Sequence, residues 1–314
     1  MTDADSITTS KQLKRPLLKQ LARDLLVVQP VNRLVVGALA RMPHADWKQR
    51  IPVIGRQAVL DLGRDRSISL GHPDKCQISM QVFWRGGQLS AGADRLALEA
   101  ALTLSRTAKT FLDIGSYTGL FALAVARTQP SIRSFAYEIV PENFLILYEN
   151  VIENDLIERV VPRLCGLSSE AGSLTVPAGI GLGLLASSIA LDTRFDRGTH
   201  IPLETLDQMH ASDEGPFVLK LDVEGFELEI LEGGQRLLEQ TRPDMVCEVL
   251  RRAKRTREMQ ELLSDLGYRF FHITDEGYVE RREIVADKAA RDWLFTTRDA
   301  DELQRCGLGR IRSS

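Results

Sequence analysis

The chain has 314 residues, a formal net charge of -3 and 44% hydrophobic residues, enough to bury a large core, with no basic excess to suit a nucleic-acid partner. Its four cysteines, Cys76, Cys165, Cys247 and Cys306, lie far apart without a zinc-type pairing, which fits reduced thiols in a cytoplasmic protein. Met1 to Lys14 is polar and no apolar run approaches roughly 18 residues, so neither a secretory signal nor a membrane-spanning helix is expected.

From Lys11 to Arg41 a stretch rich in Leu, Val, Lys and Arg is interrupted by Pro16 and Pro30, which predicts short helices. Such an appendage suits packing or homodimer formation, or peripheral contact with an anionic membrane. Residues Ile51 to Trp84 read as short strands separated by Gly55, Gly63, Gly71 and Pro73, a small cap that ends at the Arg85-Gly-Gly87 turn. We therefore expect an N-terminal extension over residues 1–82 and the main domain over residues 83–314.

That domain opens with a helix from Ala93 to Thr107, where Leu96, Ala97, Ala100, Ala101 and Leu104 recur at helical spacing. Strand and helix signals then alternate: strand Thr110 to Ile114, helix Leu120 to Arg127, strand Ser134 to Glu138, helix Pro141 to Asn154, strand Val160 to Cys165. An irregular Gly- and Ser-rich insertion follows, Glu170 to Thr199, with short strands. Next come strand Phe217 to Asp222, helix Glu227 to Gln240, strand Met245 to Leu250, helix Glu258 to Leu266, and an antiparallel pair of Tyr268 to Ile273 with Trp293 to Thr297. This alternation predicts an α/β fold, a parallel sheet covered on both faces.

Two strand ends carry the chemistry. In Asp113-Ile-Gly-Ser-Tyr-Thr-Gly119, Gly115 and Gly119 permit a tight turn and close approach of a ligand to the backbone. The run lacks a phosphate-binding lysine and the full dinucleotide glycine spacing, which disfavours nucleotide triphosphates and NAD. Asp113 at the mouth of the turn would repel a pyrophosphate, whereas it suits the ammonium and sulfonium of S-adenosyl-L-methionine; its alternative role is a cap on the glycine turn. Glu138 ends the following strand, where an acidic residue reaches ribose hydroxyls, or else is a solvated strand end. Ser116 belongs to the same cradle. Tyr117 or Ile139 could pack on adenine, and Gly166 could mark close backbone approach to the base.

The second run is Leu219-Lys-Leu-Asp-Val-Glu-Gly-Phe-Glu227. Lys220 and Asp222 share one face of a strand that is otherwise apolar, so they form either a structural ion pair or part of a reaction site. With Glu224 and with Glu248 at the end of the next strand, three carboxylates converge on one cleft edge. Asp222 or Glu224 is the candidate general base or hydroxyl-orienting group; His200, His210 and His272 are alternatives. The carboxylates could hold Mg²⁺, but no close Asp-x-Asp pair calls for it and no metal is assigned.

Beyond these residues, Leu112-Asp-Ile-Gly-Ser-Tyr-Thr-Gly119 resembles the Asp-Val-Gly-Ala-Asn-x-Gly turn of FkbM-type methyltransferases, and Tyr137-Glu138 with Pro141-Glu-Asn-Phe144 resembles that family's Phe-Glu-Pro-Asn-x-Glu-Asn-Phe segment. Asn154, Ser187-Ser188, Pro202-Leu-Glu-Thr-Leu-Asp207, Lys220 to Glu227, Leu231-Glu-Gly-Gly234, Arg242-Pro243 and Glu248 follow in the family's order. The likeness runs from about Phe83 to Thr297. Tyr117 stands where the family usually has asparagine, and Ile139-Val140 where Pro-Asn is common. The resemblance implies a Rossmann-like seven-strand class I methyltransferase sheet with an antiparallel terminal hairpin. It also implies S-adenosyl-L-methionine as cofactor and methyl transfer to a hydroxyl on a sugar, glycolipid or natural-product scaffold. A non-catalytic nucleoside-binding protein is the competing reading.

Overall fold

All five residues of Thr110–Ile114 and of Phe217–Leu221 are buried, as expected of strands with helices on both sides. The computed structural model describes residues 26, 28–43, 45–177, 197–250 and 255–312. Pro16 with the leading part of the basic stretch, residues 178–196 of the insertion and Ser187-Ser188 lie outside the described residues.

Ala58–Gly63 (β1) and Arg66–Leu70 (β2) form an antiparallel hairpin. The main sheet starts with Thr110–Ile114 (β3), Arg133–Glu138 (β4) and Val160–Leu164 (β5). Gly166–Leu167 (β6), Gly172–Val176 (β7) and Thr199–Glu204 (β8) make a small separate sheet in the order β6-β8-β7. Phe217–Leu221 (β9), Asp244–Glu248 (β10), Arg269–Thr274 (β11), Gly277–Arg281 (β12), Asp292–Thr296 (β13) and Ile311–Arg312 (β14) complete a nine-stranded sheet ordered β14-β12-β11-β13-β10-β9-β3-β4-β5. The five neighbours β10-β9-β3-β4-β5 run parallel. Strand β13 is antiparallel to β10 and to β11. The expected class I sheet is therefore present, with β12 and β14 added at its edge.

One sheet face packs Leu112, Ile114, Leu219 and Leu221 against Leu228, Leu231, Leu238 and Leu263 from the helices after β9 and β10. On the opposite face Phe111, Val218 and Val246 meet Leu96, Ala100 and Leu104 of the helix Ala93–Leu104. Hairpin residues Leu60, Ile68 and Leu70 join the core formed by Leu123 of helix Leu120–Thr128 and Leu147 and Val151 of helix Pro141–Glu153. Asn154 fixes that docking by accepting from Ser69 N (2.8 Å) and donating to Ser69 O (2.7 Å). Its neighbour one turn earlier, Asn150, accepts from Gly71 N and donates to Thr118 O in the glycine turn. Among the described residues no helix is long and apolar enough to cross a membrane.

Pro30 sits in the first turn of the helix Gln29–Ala40, as its fixed φ favours. Two expectations are corrected. Gln77–Trp84, read as strand, is a helix whose Cys76 sulfur accepts from Ser79 N. Met80, Val82 and Trp84 alternate like a strand, but Met80 and Trp84 also lie one helical turn apart, and both pack on Val36 and Val53. The helix expected from Glu227 to Gln240 is two helices, Glu227–Glu232 and Gln235–Thr241, separated at Gly233-Gly234.

The two glycines at the break have a steric reason. A Cβ on Gly233 would lie 2.1 Å from Ser168 O, and one on Gly234 would lie 2.8 Å from Leu206 Cδ1. Gly233→Ala should therefore lower unfolding stability by about 1–3 kcal/mol, the usual cost of overpacking. Urea unfolding checks this, and an unchanged midpoint would show that the Ser168 backbone yields freely.

Candidate active site

The chain leaves β3 to build β4 and β5 on one side, then returns to place β9 on the other side of β3. Such a reversal of strand order leaves a crevice beyond the carboxyl ends of the strands. Here it is a cavity of about 470 Å³, within the usual size for a small-molecule site.

Its floor is the glycine turn after β3. Tyr137 O accepts from both Gly115 N (3.0 Å) and Ser116 N (2.8 Å), while Asp222 N donates to Ile114 O (3.0 Å). Gly115 has φ 76°, and a Cβ there would lie 1.9 Å from Asp222 O. Only glycine fits between the two strand ends. Gly119, at φ 89°, caps the helix Leu120–Thr128 against Leu147, whose Cδ1 would be 2.5 Å from an added Cβ.

Of the residues singled out in the sequence, Gly115, Tyr117, Glu138, Ile139, Gly166, Asp222 and Glu224 line the cavity, whereas Asp113, Ser116 and Gly119 lie outside its lining. Glu138 is 6% exposed and its Oε1 accepts from Ile139 N and Val140 N, both at 2.8 Å. Burial pushes its pKa up to about 7, against those backbone hydrogen bonds and the Asn143 amide. The alternative of a solvated strand end does not hold. Asp113 is 2% exposed and its Oδ2 accepts from Ala122 N at 2.9 Å, the capping role. Burial likewise raises Asp113 to about 7, opposed by that bond and by the Lys220 charge.

Beside this turn lies an acidic cluster around a buried lysine. Lys220 is 3% exposed, pairs with Asp222 Oδ2 at 3.2 Å, and stands 5.3 Å from the Phe121 ring centroid. Burial disfavours its charge, but Asp222, Asp292, Glu248 and Asp113 together hold its pKa above the ordinary lysine value. The register explains the grouping: Asp113 is opposite Lys220 across β3 and β9, and Glu248 is opposite Asp292 across β10 and β13. Carboxylate oxygens of Asp222, Glu224 and Glu248 lie within 4.8 Å of one another, so they could orient a hydroxyl or jointly ligate a hard cation. Glu248 also faces Arg291 Nη1 at 3.5 Å, and burial followed by the Asp222 charge raises its pKa.

The histidines stand elsewhere. Within the described residues His200, His210 and His272 are absent from the cavity lining. His200 contacts Thr175 Oγ1, His210 links Tyr137 OH to Asp213, and His272 stacks on Trp293 with centroids 4.5 Å apart. Sequence reasoning missed Gln77, Ile78, Gln81, Asn143 and Arg291 on the cavity wall. The first three were hidden by the strand reading of Gln77–Trp84, and Arg291 precedes a strand whose partner across the sheet only the register supplies.

Tyr117 and Glu224 adopt left-handed backbone, φ 53° and 61°, a conformation in which asparagine is common and larger residues are rare. That gives a physical reason for the asparagine of the FkbM pattern at the first position. The tyrosine here accepts the strain, and its hydroxyl sits beside the Cys76 thiol and the Gln77 main chain.

A parallel sheet continued through the antiparallel strand β13 to β11, a glycine turn after β3 and an acidic residue at the end of β4 define a Rossmann-like class I methyltransferase fold. The chain belongs to the Methyltransferase FkbM domain family, which matches residues 113–270, half of its length. It is similar to Methyltransferase sdnD of Sordaria araneosa, with 27% identity over 187 residues, 50% of this chain and 72% of that one. Among solved structures it is similar to Methyltransferase FkbM from Methylobacillus flagellatus KT, with 16% identity and a TM-score of 0.41, covering 60% of this chain and 43% of that one. It is also similar to an O-methyltransferase from Bacillus cereus solved in complex with SAH, with 16% identity and a TM-score of 0.39, covering 63% and 78%. The match thus spans less than half the length of the Methylobacillus protein.

Two outcomes follow from the site's electrostatics. Carboxyls whose folded pKa is raised stabilise the fold below their unfolded pKa, and that stabilisation is lost as pH climbs through the folded value. Asp113 and Glu138 rise to about 7 and Asp292 to about 6, mainly through burial. His210, lowered by burial, works in the opposite sense. With these three carboxyls joined by Glu248 and Glu227, raised in the same sense, against one histidine, the urea midpoint of the ligand-free protein should fall from pH 5 to pH 8; a rise would contradict the burial of these groups. Separately, Lys220→Met removes the partner of buried carboxylates and should cost about 3–5 kcal/mol, measured by the same unfolding.

Proposed function

We propose that the chain is an S-adenosyl-L-methionine-dependent O-methyltransferase acting on a hydroxyl of a sugar, glycolipid or natural-product acceptor. The observation that carries this is Glu138, a buried carboxyl locked by two backbone N–H groups on the wall of the cavity that also holds Asp222, Glu224 and Glu248. The residues fit the cofactor. Glu138, its Oε1 already held by Ile139 N and Val140 N, would meet the ribose with its other oxygen, and Ile139, Val140, Leu174 and Leu203 offer an apolar slot for adenine. At Gly166 a Cβ would meet Leu203 Cδ2 at 2.6 Å and Ile139 Cγ2 at 3.1 Å, so a side chain there would crowd that slot.

When bound, the cofactor supplies an electrophilic methyl group on a positively charged sulfur. The chain's own part is placement and proton handling. Alignment of two reactants is worth on the order of 7–11 kcal/mol, and a general base adds about 10²–10⁴-fold. Asp222, with its side chain 41% exposed and Lys220 behind it, or Glu224 beside it accepts the acceptor hydroxyl's proton. Asp113 serves through the turn, holding the start of the following helix by its bond to Ala122 N. The Lys220–Asp222 ion pair also suits a binding protein in which these charges only brace the fold, and acceptor turnover separates the two readings.

Charge-assisted hydrogen bonds are worth roughly 1.5–3 kcal/mol each, so Glu138→Ala should weaken S-adenosylhomocysteine binding at least about tenfold. Isothermal titration calorimetry measures it; a wild-type protein that binds neither this product nor the methyl donor would remove the proposal.

A further inference from the structure

Three cavity residues, Gln77, Ile78 and Gln81, come from the helix Gln77–Trp84, which lies before the family-matched residues 113–270. Gln77 and Gln81 are one helical turn apart and so share a face. Gln77 is exposed and Gln81 partly buried; among the described residues neither side-chain amide makes a hydrogen bond. The helix is held firmly: Cys76 caps it, Trp84 Nε1 donates to Ile51 O at 2.9 Å, and Met80 and Trp84 are buried in a cluster with Val36 and Val53. Uncommitted amides on a rigid element at a cavity wall are suited to recognition, since each offers one acceptor and two donors without charge.

The glycine turn connects this helix to the acidic cluster. Tyr117 lies next to Gln77, and Gly115 abuts Asp222. An acceptor placed with its hydroxyl at Asp222 or Glu224 shares its cavity with the carboxylates and with the two amides. Excess carboxylate disfavours an anionic acceptor, because Arg291, the cavity's guanidinium, already faces Glu248. Amides match hydroxyl groups, which both donate and accept. We infer that Gln77 and Gln81 are specificity-determining residues that bind the hydroxyls of an uncharged, polyhydroxylated acceptor, a selection built outside the family-matched segment. The inference rests on the proposed methyl transfer.

The full chain and its Gln77→Ala/Gln81→Ala variant are compared in two steps. Calorimetry with S-adenosylhomocysteine comes first, and the variant should bind within about twofold of wild type. Transfer from methyl-labelled donor is then followed with uncharged methyl hexosides and methyl 6-deoxyhexosides as probes, beside a methyl glucuronoside and a hexose 6-phosphate. Wild type should label the uncharged probes in preference, and the variant should raise their KM at least about tenfold with kcat changed far less. Loss of product affinity in the variant would assign the amides to the cofactor and overturn the inference. So would preference for the anionic probes, an unchanged KM, or product binding without labelling of any uncharged probe. Failure of wild type to bind S-adenosylhomocysteine would instead strike the proposed function itself.

Discussion

Lys220 is the constraint around which the carboxyl edge of the sheet is arranged. A lysine ammonium that is 3% exposed is tolerable only with opposite charge close by, and four strands provide it: Asp113 in β3, Asp222 after β9, Glu248 in β10 and Asp292 in β13. Lys220 and, beside Glu248, Arg291 face these four carboxyls, which leaves the region short of positive charge. Burial is the main cause that raises the pKa values of Asp113 and Asp292 there, with the Asp222 charge adding to it, and a cationic ligand in the adjoining cavity would offset part of the carboxylate excess. Under the proposed function, the sulfonium donor is favoured there over a phosphate-bearing cofactor by the sign of the surroundings.

The same edge is held in an unrelaxed conformation. Tyr137 O gathers two N–H groups of the glycine turn, and Ile114 O takes the N–H of Asp222, so the ends of β3, β4 and β9 are tied at one place. Tyr117 and Glu224, the two non-glycine cavity residues with left-handed backbone, are the positions forced by that tie. Backbone strain of this sort costs on the order of 1–3 kcal/mol per residue and persists when surrounding structure overdetermines it. Here the overdetermination is visible in the glycines, since Gly115 leaves no space for a Cβ against Asp222 O.

Much of this was legible in the sequence because the parallel strands are continuous apolar runs with acidic ends. Thr110 to Ile114 and the convergence of Asp222, Glu224 and Glu248 could be read directly. What could not be read depended on long-range packing. Asp113 and Glu138 look alike as strand-terminal acids, yet one caps Ala122 N and the other faces the cavity; only the direction of the side chain separates them. That Gly233 must lack a side chain is visible only from the Ser168 backbone packed against it. Strand β12 was missed because Gly277 to Arg281 is short and its pairing with β11 turns on a tight hairpin.

The cavity is not built from the family-matched segment alone. Asn150 on the helix after β4 and Asn154 at its end pin the β2 strand and the Gly71 backbone, and Asn150 also bonds to Thr118 O of the turn. The hairpin therefore stands on the same helix that steadies the turn, and the helix Gln77–Trp84 that follows it closes one wall. At the other end Arg291 and Asp292 arrive with β13, whose antiparallel insertion between β10 and β11 sets Asp292 opposite Glu248. Within the described residues, the turn and the carboxylates Asp222, Glu224 and Glu248 come from the family-matched segment, while Gln77, Ile78, Gln81 and Arg291 add wall from either side of it. Under the proposed function, the donor would be held by the family-matched segment while the acceptor would meet residues from outside it, the arrangement by which one fold can keep a single chemistry and change what it acts on.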